Sequence, residues 1–218
     1  MTTLDQLAIK HKADKSSLYH NFAAKYDKLL SPFRDTFTNV LEIGVGGGQS
    51  VKMWADYFPN ATIHGADIEG SCNACESYSG RIKFHQLDQG NVVQLSALLP
   101  FSPFDLIIDD GNHWWREQIV TFTSLFPMVK SGGIYVVEDS VTAYWKEYKN
   151  NGISCIDLFK SLIDDVNLNG ARGSIPVNPS PDFGNWEQGW HRREDCFSNL
   201  SPVESIHFLN SLIVAFKR

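Results

Sequence analysis

From Asn39 onward, apolar residues fall into two alternating rhythms. Short runs rich in Val, Ile, Leu and Phe predict strands at 39–44, 62–67, 82–87, 104–109 and 133–138. The stretches between them, at 49–58, 71–78, 91–99 and 114–129, carry helical spacing. Strand alternating with helix predicts an α/β fold: a Rossmann-like, doubly wound, mostly parallel sheet with helices on both faces. Ahead of it, residues 2–12 read as a helix capped by Thr2 or Thr3, with Leu4, Leu7 and Ile9 as its apolar members. A polar turn follows, then a second helix to about Leu30. Residues 1–35 would thus form a helical lid over a core spanning 36–218, with Tyr19 and His20 able to line a pocket beneath it. Past the fifth strand come an amphipathic helix at 154–168 and a loop at 170–200 rich in Gly, Pro, Asn and Trp. The last element expected is an antiparallel edge hairpin formed by Val203–Phe208 and Leu212–Phe216.

A chain of 218 residues suits one α/β domain over 1–218 and is short for two. With 25 acidic against 19 basic residues, the net charge of −6 offers no basic face for phosphates, which disfavours nucleic acid as a partner. No apolar run reaches membrane-spanning length and no basic segment leads into an apolar one at the start, so a cytoplasmic protein without a membrane partner is expected. Cys72 and Cys75 have C-x-x-C spacing without a second ligand pair for zinc, and free thiols on a helix turn are expected there. The loop tryptophans Trp186 and Trp190, beside His191, would suit a ring-shaped partner or equally the contact of a homo-oligomer.

The chemistry concentrates at two strand ends. Glu42-Ile-Gly44-Val-Gly46-Gly-Gly48 turns the first strand into a helix, and the glycines let a ligand approach the main chain. Gln49 stands where a dinucleotide fingerprint needs its third glycine, and the Gly-Lys-Ser/Thr ending of a phosphate-cradling loop is absent. Asp67 ends the second strand, placed to accept hydrogen bonds from ribose hydroxyls.

The fourth strand ends in Asp109-Asp110-Gly111-Asn112-His113 and the fifth in Glu138-Asp139. These strands are neighbours in a doubly wound sheet, about 4.8 Å apart, so Asp110, Glu138 and Asp139 are expected to converge. Carboxylates without a counter-charge take up protons or hold a cation. All-oxygen ligation points to Mg²⁺, or alternatively Mn²⁺ or Ca²⁺. His113 is then suited to take a hydroxyl proton as general base. The competing reading is that Asp109 and Asp110 cap the next helix and His113 satisfies a core hydrogen bond.

The E-x-G-x-G-x-G turn with Asp67 resembles motifs I and II of class I S-adenosylmethionine-dependent methyltransferases. The segments Ile107-Ile-Asp-Asp-Gly-Asn-His113, Pro127 to Asp139, Tyr144-Trp145, Ala13-Asp-Lys-Ser16, Leu30 to Arg34 and Glu204 to Phe208 are similar to the macrocin and mycinamicin type of metal-dependent sugar O-methyltransferases. Asn112, where serine is usual, and Ser140, where leucine is usual, depart from that pattern. The resemblance implies S-adenosylmethionine as donor, held by Glu42, Gly44, Gly46, Gly48, Asp67, Asp88, Gln89 and Asp109, with Asp88 or Gln89 meeting the adenine amino group. It also implies Asp110, Glu138 and Asp139 as ligands of Mg²⁺ or Mn²⁺, and His113 with Asp110 as the catalytic pair. A small-molecule hydroxyl acceptor would then lie near Tyr19, His20, Trp114, Tyr144, Trp186 and Trp190. Two other functions remain open: a cyclisation or isomerisation on bound S-adenosylmethionine, and a non-catalytic binding protein.

Overall fold

The computed structural model describes residues 2–70, 75, 78–150, 152–172 and 202–218. One seven-stranded sheet runs through it: β1 (Asn39–Ile43), β2 (Thr62–Asp67), β3 (Ile82–Gln86), β4 (Phe104–Asp109), β5 (Val129–Val137), β6 (Val203–Leu209) and β7 (Leu212–Lys217). Their spatial order is β3-β2-β1-β4-β5-β7-β6. The first five are parallel; β7 pairs antiparallel with β5 and with β6. The expected doubly wound sheet with its antiparallel C-terminal hairpin is therefore present.

Every residue of β4 is buried, as the near-continuous apolar run of a strand covered on both faces requires. Side chains alternate between the two faces. Val40, Ile63, Leu106, Ile108, Ile134 and Val136 pack on one. Leu41, Ile43, Ile107, Tyr135 and Val137 pack on the other. The first face is covered by α1 (Leu4–His11), α2 (Ala23–Leu30) and α3 (Gln49–Tyr57). The second receives α4 (Val92–Leu95), α5 (Trp115–Leu125) and α6 (Cys155–Arg172). Thr3 and Gln6 close a capping box on α1, which ends at Lys12 in a left-handed turn. Leu4, Leu7, Ala8, Ala23, Tyr26 and Leu30 are core residues, so both N-terminal helices are anchored. The turn between them, around Tyr19 and His20, lines the same cavity as the sheet's carboxyl edge.

Several boundaries differ from expectation for local reasons. The helix expected at 91–99 is α-helical only to Leu95 and tightens into a 3₁₀ turn through Pro100. Pro127 likewise ends the helix expected to reach 129, and β5 starts at Val129 rather than 133, pairing with Phe104 across a bulge. α6 runs on to Arg172, past the expected 168. Cys75, expected as a free thiol, is disulfide-bonded, its partner lying outside the described residues. The expected helix at 71–78, apart from Cys75 and Tyr78, and the loop from 173 to 200 with Trp186 and Trp190 also lie outside them. Among the described residues no helix is long and apolar enough to cross a membrane.

Away from the strand ends, His64 of β2 stacks on His85 of β3, with Nδ1 2.9 Å from the His85 Nε2. Burial, helped by His85 and Lys83, lowers the His64 imidazole from 6.5 to about 4. A folded value below the unfolded one means that the native state binds fewer protons. That stability is complete above pH 6.5 and is lost as pH falls through about 4. In His64→Leu, the fall in thermal midpoint across this window should be shallower than in the wild type.

Candidate active site

The carboxyl ends of β1, β4 and β5 lie side by side. The Asp110 amide donates to the Ile43 carbonyl and the Glu138 amide to the Asp109 carbonyl, both at 2.9 Å. They open onto a cavity of about 1020 Å³, in the range of small-molecule sites. Gly44, Gly46 and Gly47 line one wall together with Asp67, Asp88 and Gln89. Asp110, His113 and Asp139 line the same cavity, Asp110 beside the glycine turn. Tyr19, His20, Trp145 and Tyr148 also line it.

The glycine turn is held open by backbone geometry: Gly44, Gly46 and Gly48 have φ of +83°, +45° and +79°. Asp67 Oδ2 accepts from the amides of Val45 (3.0 Å) and Gly46 (2.9 Å), tying the second strand's end to the turn. Gly48 precedes α3 as its N-cap and does not line the cavity. Gln89 lines it but is turned inward. Its amide donates to Asp109 Oδ1 (3.2 Å) and Thr121 (3.1 Å), and its carbonyl oxygen accepts from the Asn112 amide. Asp88 is thereby the more open of the two residues expected near an adenine. Asp109 sits behind Gln89, off the cavity wall, where burial raises its carboxyl to about 7.

Behind Asp110 the structure holds a residue that sequence reasoning missed. Lys15, 1% exposed, places its Nζ 2.5 Å from Asp110 Oδ2, 3.1 Å from Glu138 Oε1 and 3.3 Å from Glu42 Oε1. Burial alone would lower this ammonium; the carboxylates of Asp110, Glu138 and Glu42 outweigh it and hold it well above its ordinary value. Glu42, expected at the donor, is fully buried and faces this cluster: Ser50 donates to its Oε2 (2.6 Å) and Trp54 to its Oε1 (3.2 Å). Tyr26 donates to Glu138 Oε1 at 2.7 Å. Tyr26→Phe would leave that buried oxygen a donor short, and a loss of about 1–3 kcal/mol in urea denaturation is expected.

The three expected metal ligands do not form one set: Glu138 and Asp139 fall in two different sets that share Asp110. Glu42, Asp110 and Glu138 form the inner one, around Lys15. Asp110, His113 and Asp139 form the outer one, with ligand atoms within 4.8 Å of one another. Glu138 does not line the cavity; Asp110 belongs to both sets. One ammonium against three carboxylates, two of them buried, leaves negative charge over, and burial and Asp110 push Glu138 well above its usual range. His113, in a left-handed conformation (φ +60°), has Nε2 3.7 Å from Asp139 Oδ2, and its buried Nδ1 has no hydrogen-bond partner. Uncompensated carboxylates, two of them open to the cavity, fit a hard divalent cation that keeps part of its water shell.

Two expected acceptor contacts fall elsewhere. Tyr144 ends a 3₁₀ turn, is 71% exposed and lines a separate shallow groove, whereas the adjacent Trp145 reaches the main cavity. Trp114 precedes α5 and is off the cavity wall.

The sheet order and the glycine turn define the class: the chain has the class I methyltransferase fold. Within that class it is a relative of the macrocin and mycinamicin type of sugar O-methyltransferases. Demethylmacrocin O-methyltransferase of Streptomyces fradiae is 34% identical over 176 residues, covering 75% of this chain and 44% of that protein. Mycinamicin VI 2''-O-methyltransferase of Micromonospora griseorubida is 36% identical over 178 residues, covering 75% and 44%. The chain thus spans less than half the length of these relatives. Among solved structures, the MycE methyltransferase of the mycinamycin biosynthetic pathway in complex with Mg and SAH superposes with a TM-score of 0.78 at 29% identity, covering 99% of this chain and 54% of that one. The same enzyme has been solved with Mg, SAH and mycinamycin VI. No family model matches the chain.

Proposed function

We propose that the protein transfers a methyl group from S-adenosylmethionine to a hydroxyl of a small natural product or sugar, assisted by Mg²⁺ or Mn²⁺. The observation that carries this reading is that the glycine turn and the Asp110–His113–Asp139 group line one and the same cavity. The relatives named demethylmacrocin O-methyltransferase and mycinamicin VI 2''-O-methyltransferase support it. Gly44 to Gly47, with Asp67 and Asp88, would seat the donor. Tyr19, His20, Trp145 and Tyr148 would surround the acceptor. Asp110 and Asp139 would hold the ion, with Glu138 behind them.

A bound divalent cation lowers the pKa of a hydroxyl and helps to orient it. The acceptor oxygen bonds to the methyl carbon as the carbon–sulfur bond breaks, its electron pair staying on sulfur. The hydroxyl proton passes to His113 Nε2, and Asp139 supplies a counter-charge to the imidazolium formed. Positioning supplies much of the rate, because the oxygen must lie in line with the methyl carbon.

The test is incubation with S-adenosylmethionine, Mg²⁺ and a panel of glycosylated acceptors. A mass gain of one methylene, with equimolar S-adenosylhomocysteine, is expected. Product without S-adenosylhomocysteine would favour an isomerisation instead, and no binding of the donor would sink both. Chelation should abolish turnover and added Mg²⁺ restore it, with donor affinity unchanged by calorimetry. His113→Gln should lower kcat by about 10²–10⁴-fold.

A further inference from the structure

Lys15 does not line the cavity; it reaches the acidic wall from behind, out of the turn that follows α1. Its ammonium has three protons and three carboxylates within 3.3 Å, those of Asp110, Glu138 and Glu42, with the exposed Asp14 farther off at 3.9 Å. The other partners of these carboxylates, Ser50 and Trp54 on Glu42 and Tyr26 on Glu138, are neutral donors. Lys15 is therefore the cation inside this buried cluster, and Asp110 is the point it shares with the cavity-facing set. A unit charge and a divalent ion that share a carboxylate repel each other strongly at such range in a partly dehydrated site.

We propose that Lys15 is the resident counter-ion of the acidic wall: it keeps the Glu42–Asp110–Glu138 cluster assembled when no metal is bound, and it weakens the grip of the wall on a divalent cation. This rests on the reading of Asp110 and Asp139 as ion ligands given above. Lys15 acts through Asp110, as a positioning residue. Metal occupancy would thereby stay exchangeable in a site that would otherwise carry a large excess of negative charge.

The test is Lys15→Met, which keeps an unbranched side chain, one atom shorter, and removes its charge. Its thermal midpoint without divalent ion should fall below that of the wild type. Saturating Mg²⁺ should raise it by more than it raises the wild type. Mn²⁺ affinity, read by electron paramagnetic resonance, should tighten by about tenfold or more. A merely structural lysine would lower the midpoint and leave Mn²⁺ affinity alone. If Lys15→Met does not fold, Lys15→Gln, whose amide still donates to a carboxylate, carries the same measurement. Mn²⁺ binding to the wild type with equal or weaker binding to the folded variant overturns this proposal alone. No Mn²⁺ binding to the wild type overturns it together with the metal reading of the site.

Discussion

Asp110→Asn is expected to lower the rate of methyl transfer by roughly 10³-fold or more, with folding and S-adenosylhomocysteine affinity close to those of the wild type. The substitution keeps the shape of the side chain and one acceptor oxygen for Lys15, whose ammonium retains Glu138 and Glu42 within 3.3 Å. It removes one negative charge from the only residue common to both carboxylate sets among the described residues. The backbone bond from the Asp110 amide to the Ile43 carbonyl stays, so the glycine turn beside it keeps its shape. Single-turnover rates, calorimetric titration with S-adenosylhomocysteine and a melting curve check the three parts separately. Activity within tenfold of the wild type would remove Asp110 from the reaction, and a collapsed melting curve would make its role structural.

What the sequence revealed and what it hid divide along a physical line. The ends of β4 and β5 were legible because an apolar run that stops abruptly in acids has few uses away from a cleft, and the β/α alternation makes those two strands neighbours. Lys15 was hidden because a lone lysine in a polar turn looks like any solvated residue. The clue lay in the requirement that converging carboxylates find a positive charge. Glu42 was assigned to the donor from its place in the glycine motif, yet strand alternation puts it on the face of Val40, beneath α1 to α3, where Ser50 and Trp54 hold it. Gln89 shows the same limit at a turn: only the folded chain brings Asp109, Thr121 and the Asn112 backbone amide to its side chain. Helix ends went astray where proline stiffens the exit, at Pro100 and Pro127.

Gly44→Ala and Gly46→Val should separate the structural and ligand-binding roles of the same turn. At Gly44 an added Cβ would run into the backbone of Asp110 and Gly111, and φ is +83°, where L side chains are strained. Relief would require the ends of β1 and β4 to part, breaking the bond from the Asp110 amide to Ile43 and displacing the carboxylate wall. A loss of about 3 kcal/mol or more is expected, combining left-handed strain with backbone collision. At Gly46 a Cβ would meet nothing within 4 Å, because the position faces the open cavity. Valine there carries the strain of a +45° φ, costing about 1–3 kcal/mol, but no collision at its Cβ. Its branched side chain would stand where the donor must approach the main chain, so affinity for S-adenosylhomocysteine should fall by about 10²-fold or more. Chemical denaturation and calorimetry on both variants give the contrast. If Gly46→Val binds S-adenosylhomocysteine as the wild type does, the donor lies elsewhere in the cavity and the glycine turn serves only to join β1 to α3.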